Sequence, residues 1–406
     1  MKTKIAFGTY RISLHNEQHI AALKFALNSG VELIDTATTY MDTLSESAVG
    51  IALNSLEKGK KERVAVVSKF GLISGSIFQE IENKTYEDIV EYSDEFHYCI
   101  SAEFMRDQLS NSLSRLSLDN LDCYMLHNPE IYLQHALANN IPKAQRLDEL
   151  NRRFYNVFIA LEEEVKNGRI NSYGISSNSF SLLSNSNEFF SYEDLLFIAQ
   201  KAASSINVDK HNFTTIELPI NIIEQNGLKC AEWAKKNNLR VLSNRALIVV
   251  NNSEKYTLAE YDEPRDYFYT LNEILSLCEI DELESLYNLI EGLDVNRHKF
   301  ETSNDYDAFL ISQIIPHIRL VLEKIDPSMR ELLSTSLNLF LLSLAKMVTY
   351  ECSLKVKSRF KEEFSSCAES MQKCSVNFLK ECGNIDYILL GMRRESYVAD
   401  FSDDFL

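Results

Sequence analysis

The sequence predicts an α/β fold, a (β/α)8 barrel, interrupted by a large and mostly helical insertion between strands 7 and 8. Three observations predict it. Over the first 245 residues, short apolar runs rich in β-branched side chains alternate with amphipathic helical stretches. An eighth run of the same kind stands near the C-terminus, and the stretch between the seventh and eighth runs is some four repeats long and reads almost entirely as helix. Near-continuously apolar strands separated by helices belong to a parallel sheet covered on both faces, and eight of them imply closure into a barrel.

The runs are residues 5–7, 31–34, 64–67, 121–126, 172–175, 215–218, 239–242 and 387–390. Between them, patterns such as Met105, Leu109, Leu113 and Leu116 place one apolar stripe inward at helical spacing. Gly30 and Gly168 fall where a helix should stop before the next strand, and Thr43 with Glu46 has the spacing of a capping box. The expected organisation is a barrel formed by residues 1–247 with 384–406, and an insertion at 248–383 that includes the connection to the last strand. Two further connections are long, at residues 74–100 and 128–150. In such a barrel, the chain after a strand's carboxyl end lies over the active-site face, so all three long segments are expected around one pocket.

Charge and composition exclude several classes. There are 41 basic and 59 acidic residues, a net charge of −18, which argues against nucleic acid or an anionic membrane as partner. Residues 254–307 alone carry 15 acidic and 4 basic side chains, so the first half of the insertion is strongly negative. The apolar tract at 332–348 is broken by Ser334, Ser336, Asn338, Ser343 and Lys346, the pattern of a buried amphipathic helix rather than a membrane span. No N-terminal stretch combines a basic start, an apolar run and a small-residue cleavage site. The eight cysteines include no C-x-x-C pair and no metal-ligand cluster, so reduced, mostly buried thiols and a cytoplasmic protein are expected.

Four polar residues stand at or just beyond the ends of apolar runs: Asp35, Tyr40 five residues later, Lys69 and His127. Taken singly they read as a turn former, a packing tyrosine, a solvated lysine and a hydrogen-bonded histidine. At the ends of strands 2, 3 and 4 of one barrel they converge on a single pocket. Lys69 as a Schiff-base lysine is the rival reading of that pocket, and Tyr40 and Asp35 in this register speak against it.

The segments FGTY (7–10), DTATTY (35–40), SKFG (68–71), LSNSLSRLSLDNLDCYMLHNPE (109–130), NGRINSYGISSNSF (167–180) and LLGMRRESYV (389–398) resemble the aldo-keto reductase superfamily, in a long form with a helical insertion before the last strand. They cover most of residues 1–247 and the final strand. The resemblance implies an NAD(P)H-dependent oxidoreductase acting on a small-molecule aldehyde or ketone, with Tyr40 as general acid/base. Lys69, paired with Asp35, is expected to lower the phenol's pKa, and His127 to donate a hydrogen bond to the carbonyl oxygen.

The chain has no G-x-G-x-x-G after a strand and no P-loop. The resemblance implies instead a dinucleotide, NADP(H) first and NAD(H) second, lying across the barrel mouth. The matching positions are Thr9, Asp35, Ser176, Ser177, Glu217, Arg245, Leu247, Gly391, Met392 and Arg393, with Arg393 and Arg394 suited to a 2′-phosphate. The chain departs from the family pattern at Glu217, where glutamine is usual, at Ala246 for proline and at Phe401 for asparagine. The aromatic of strand 7 is absent, with Asn244 near its place. These departures leave open a second class of protein, a cofactor-binding barrel used as a sensor or scaffold, with the acidic insertion as the surface for a protein partner.

Overall fold

The structure is a computed structural model that describes residues 2–251 and 254–405. Eight parallel strands close a barrel: β1 (Lys4–Gly8), β2 (Leu33–Asp35), β3 (Ala65–Phe70), β4 (Cys123–His127), β5 (Tyr173–Ser176), β6 (Phe213–Pro219), β7 (Arg240–Asn244) and β8 (Tyr387–Leu390). Neighbours in sequence are neighbours in space, and β8 closes the ring between β7 and β1, with Ile388 paired to both Ser243 and Ile5. Most of the strands run past the apolar stretches that predict them, taking Asp35, Lys69, His127, Ser176 and Asn244 into the strands themselves. A strand is held by backbone hydrogen bonds that are indifferent to side-chain polarity, so it continues where hydropathy fades.

Alternation along each strand positions the site. Ala6, Leu33, Val67, Cys123, Met125, Leu242 and Leu389 pack together as an apolar plug inside the barrel. Side chains two residues further on share the inward face. For β1, β2, β3, β4, β7 and β8 those positions are Gly8, Asp35, Lys69, His127, Asn244 and Gly391. The register sets His127 beside Ser176 and Ser176 beside Glu217, which completes one polar layer above one apolar layer.

The chain divides into two compact units, one of residues Met1–Ala246 with Val376–Leu406 and one of Leu247–Ser375. The second unit begins with an antiparallel hairpin, Ile248–Asn251 against Glu254–Thr257, where the sequence reads helix. Val249 and Tyr256, paired across it, are both buried, and this β-branched and aromatic pair favours the hairpin. Its core gathers Tyr267, Leu271, Ile274, Leu286 and Ile290 around the inward stripe of the helix Pro327–Arg359, made by Leu333, Leu337, Phe340, Leu344, Met347 and Val348. That helix is long and apolar enough by composition to cross a membrane, and its opposite face exposes Leu332, Leu339, Leu342 and Leu354.

Two local expectations are corrected. Thr43 does not cap the helix Leu44–Asn54: its φ of 70° is left-handed, so its hydroxyl makes no capping bond. Glu46 turns inward instead, fully buried, and accepts hydrogen bonds from Ser68 Oγ at 2.5 Å and Arg115 Nε at 2.7 Å. The cysteines are not uniformly thiols either, because Cys367 and Cys374, with Cα atoms 6.0 Å apart, form a disulfide within the second unit. Their spacing of seven along the chain carries no recognisable motif, and the turn between them brings the two within bonding range.

The segment at 74–100 carries a small sheet, with Phe96–Tyr98 between Leu72–Ile73 and Val90–Ser93, and residues 128–150 form the helix Glu130–Ala138 and the start of Lys143–Lys166. Gly174 on β5 explains its own presence: a Cβ there would collide with the carbonyl oxygen of Thr215 on β6 and crowd Met125 Cε. Gly174→Ala is therefore expected to destabilise the barrel by about 1–3 kcal/mol, the usual cost of overpacking, read as a lowered denaturant midpoint of the barrel transition.

Candidate active site

The centre of the polar layer is Lys69, whose side chain is wholly buried. Val67 pairs with Asp35 across β2 and β3, and Lys69, two residues on, shares that inward face. Its Nζ lies 2.6 and 2.7 Å from the two oxygens of Asp35, 3.1 Å from the carbonyl of Thr36 and 3.2 Å from the hydroxyl of Tyr40. Glu217 Oε2 also stands 3.2 Å away, within ion-pair range but outside hydrogen-bonding geometry. Glu217 Oε1 is anchored by Asn244 Nδ2 at 2.8 Å. One ammonium therefore faces two carboxylates, all nearly inaccessible to solvent.

Burial pulls the pKa of Lys69 down, but Asp35 and Glu217 outweigh it and hold the ammonium above its ordinary value. Burial and the charge of Glu217 push Asp35 well above the usual carboxylate range despite its bonds to Lys69. Tyr40 departs from expectation. Lys69 does lower its pKa, but burial and the carboxylates of Asp35 and Glu217 raise it further, so the phenol stays protonated at neutral pH. Burial and the nearby Lys69 charge depress His127 well below the ordinary imidazole range, leaving a neutral ring with one N–H to donate.

Tyr40 is wedged edge-on between Tyr10, at a ring distance of 5.2 Å, and His127, at 5.8 Å. The three residues that follow it, Met41, Asp42 and Thr43, all adopt left-handed φ angles of 50°, 56° and 70°. Such a run costs on the order of 1–2 kcal/mol per residue and is sustained by the bonds around it, including Ser76 N to Asp42 Oδ1 at 2.8 Å. Tyr40 thus sits on a turn with little freedom to relax.

The other sequence-predicted residues divide. Ser176 ends β5 in the polar layer beside Glu217. Thr9 is fully buried, donates to the carbonyl of Asp35 at 2.9 Å and accepts from Ser45 Oγ at 2.8 Å, so its hydroxyl braces the β2 end. Ser177 is likewise engaged, donating to Glu130 Oε2 at 2.6 Å. Arg245, at φ 53°, follows β7. Its Nε is buried without a partner, and its Nη1 lies 3.6 Å from Glu224. Gly391 and Met392 follow β8, the former exposed and the latter buried, and Arg393 is exposed. Leu247 belongs to the second unit, where its carbonyl accepts from Leu258.

Sequence reading missed two residues as functional. Asn244, noted only for the aromatic it replaces, fixes the orientation of Glu217; the signal is its place two residues past Leu242, the inward position. Glu130 accepts from Ser177 and from both the backbone and side-chain nitrogens of Asn178 at 3.0 Å, tying the ends of β4 and β5 together. Among the described residues, several buried polar atoms have no hydrogen-bond partner: Glu217 Oε2 and Asn244 Oδ1 as acceptors, Arg245 Nε as a donor, and His127 Nδ1. Unpartnered buried groups at a barrel mouth fit a polar ligand that supplies the missing bonds.

Residues 4–246 match the aldo/keto reductase family, and the chain belongs to that family. Among its relatives, a probable aldo-keto reductase 1 of Glycine max is 25% identical over 173 residues, 42% of this chain and 39% of that protein. The NADH-specific methylglyoxal reductase of Escherichia coli strain K12 is 34% identical over 101 residues, 24% of this chain and 27% of that one. The match thus spans well under two thirds of either relative. The solved structure of a glycerol dehydrogenase from Gluconobacter oxydans shares the fold, with a TM-score of 0.51 at 17% identity, covering 100% of this chain and 87% of that one.

The charge arrangement predicts an effect on stability. Lys69→Met strands two buried carboxylates, which should destabilise the barrel by about 3–5 kcal/mol at pH 8. The sign with pH follows from the raised carboxyl of Asp35. A group whose folded pKa lies above its unfolded value loses its stabilising contribution as pH rises through the folded pKa, and removing Lys69 raises that pKa further. The deficit relative to wild type should therefore shrink at pH 5, checked by denaturant unfolding at both pH values; an equal deficit at each would contradict the charge assignment.

Proposed function

We propose that the protein is an NADP(H)-dependent oxidoreductase interconverting a small-molecule carbonyl and its alcohol, with Tyr40 as general acid/base. The observation that carries this reading is the buried chain Asp35–Lys69–Tyr40, closed by a neutral His127 beside the phenol ring. Tyr40 accepts from Lys69, which leaves its own proton free to be given to an oxygen entering the pocket. His127 donates its single N–H to that oxygen and orients it, while Asp35 holds Lys69 charged and in place. Burial of the group keeps bulk water from competing for the proton.

The unpartnered atoms fit a dinucleotide. Glu217 Oε2 and Asn244 Oδ1 offer acceptors suited to the amide N–H groups of a carboxamide, with Ser176 in the same layer, and Arg245 Nε offers a donor to a pyrophosphate. When bound, the nicotinamide supplies or removes hydride at the carbonyl carbon. Thr9 and Ser177 act behind this surface, holding the ends of β2 and β5, and the backbone of Gly391 and Met392 lines the approach to Arg393. One relative is named for NADH and the chain carries Arg393 and Arg394 past β8, so the choice between the two cofactors is read at the 2′-phosphate.

Tyr40→Phe removes only the hydroxyl. It should preserve cofactor binding while lowering kcat for aldehyde reduction by about 10²–10⁴-fold, measured by loss of NADPH absorbance; survival of most of the wild-type kcat would remove Tyr40 from the mechanism. Arg393→Ala should raise the Kd for NADPH by about tenfold and leave that for NADH nearly unchanged, measured by fluorescence titration, since only NADPH presents a 2′-phosphate to the guanidinium. Equal weakening of both would place the phosphate elsewhere.

A further inference from the structure

We propose that Glu217 makes this site bind the oxidised, cationic form of the nicotinamide in preference to the reduced, neutral form. The inference rests on the cofactor reading above. Its ground is the geometry of the polar layer: Asp35 on β2 and Glu217 on β6 both face the ammonium of Lys69 on β3. Of the remaining neighbours, Tyr40 holds its proton, His127 is neutral, and Asn244 on β7 is uncharged. Lys69 is already committed to both oxygens of Asp35, to Thr36 and to Tyr40, so Glu217 Oε2 receives no hydrogen bond from it. Glu217 is thus the acid of the layer whose second oxygen is left without a hydrogen bond.

That oxygen lies where the reaction must occur. Two steps of 3.2 Å link Glu217 Oε2 through Lys69 Nζ to the Tyr40 hydroxyl. A carbonyl oxygen protonated by Tyr40 places its carbon a bond length further on, and a ring exchanging hydride with that carbon must lie against the same layer. The two redox forms of the ring differ by one positive charge. In a buried site that charge is favoured by a carboxylate with one oxygen free of hydrogen bonds and would find no such partner beside a neutral amide. Asn244 holds Glu217 in place through Oε1, so the other oxygen cannot turn away to solvent. When the oxidised form reacts, an alcohol carbon loses a hydride to the ring, its hydroxyl proton leaves through Tyr40 to water, and the products are a carbonyl, the reduced cofactor and one proton. A cation entering the layer also offsets the two carboxylates that keep Tyr40 protonated, which eases its service as a base.

The test compares equilibrium binding of NADP⁺ and NADPH, and of NAD⁺ and NADH, to the wild-type chain, Glu217→Gln and Glu217→Asp by isothermal titration calorimetry. Wild type should bind the oxidised form more tightly relative to the reduced than Glu217→Gln does, the ratio of dissociation constants shifting on the order of tenfold. Glu217→Asp, which keeps the charge, should retain most of the wild-type ratio, and circular dichroism shows whether each variant folds. Should Glu217→Gln fail to fold, a wild-type Kd for the oxidised form no tighter than for the reduced overturns the proposal. A ratio unchanged within twofold between wild type and folded Glu217→Gln overturns it while leaving the cofactor reading intact. Failure of every dinucleotide to bind wild type overturns both.

Discussion

An ammonium taken out of water loses hydration worth several kcal/mol, and only well-placed partners return it. Lys69 is such a group: wholly inaccessible, with both oxygens of Asp35 within 2.7 Å. Much of the surrounding architecture can be understood as the means of keeping that arrangement in register. Asp35 must end β2 one step before Lys69 on the inward face of β3. Thr9 and Ser45 hold the carbonyl end of β2 from behind. Glu46 grips Ser68, the residue before Lys69, and is itself held by Arg115 from the helix Ala102–Leu116. Glu46, on the helix Leu44–Asn54, thus serves the strand and takes no part in a helix cap.

The barrel and its catalytic candidates were legible in the sequence because both obey short-range rules. Apolar runs of three to six residues mark strands, and the polar residues at or just past their ends mark the barrel mouth, so Asp35, Lys69 and His127 stand out from the sequence alone. What the sequence withheld depends on three-dimensional neighbours. Nothing local distinguishes Thr9 or Ser177 turned to a protein partner from the same hydroxyls turned to a ligand. Nothing local shows that burial and two acids outweigh one lysine at Tyr40. Glu46 has the spacing of a cap, and only the position of Arg115, 69 residues away, turns it inward. The Cys367–Cys374 pair and the hairpin at Ile248–Thr257 were hidden for the same reason.

The second unit shows a different economy. Its acidic stretch does not prevent a core: Tyr267 donates to Asp294, Arg297 reaches Glu351 at 2.9 Å, and the guanidinium lies 5.4 Å from the Tyr267 ring centre. A few basic residues placed at the edge of the apolar cluster suffice to organise the carboxylates nearest it. The others are left to solvent, where their mutual repulsion is weak.

The order of the barrel strands along the chain has a consequence for how the molecule is made. β8 pairs with both β1 and β7, yet some 140 residues separate it in sequence from β7. At ordinary rates of synthesis, about 5–20 residues per second, β1 to β7 wait on the order of ten seconds before their last partner emerges. Any pairing formed in that interval leaves the β8-facing edges of β1 and β7 without their partner. The ring cannot close before β8 has emerged, so the earliest moment of closure is set by the length of the second unit and not by the barrel's own residues.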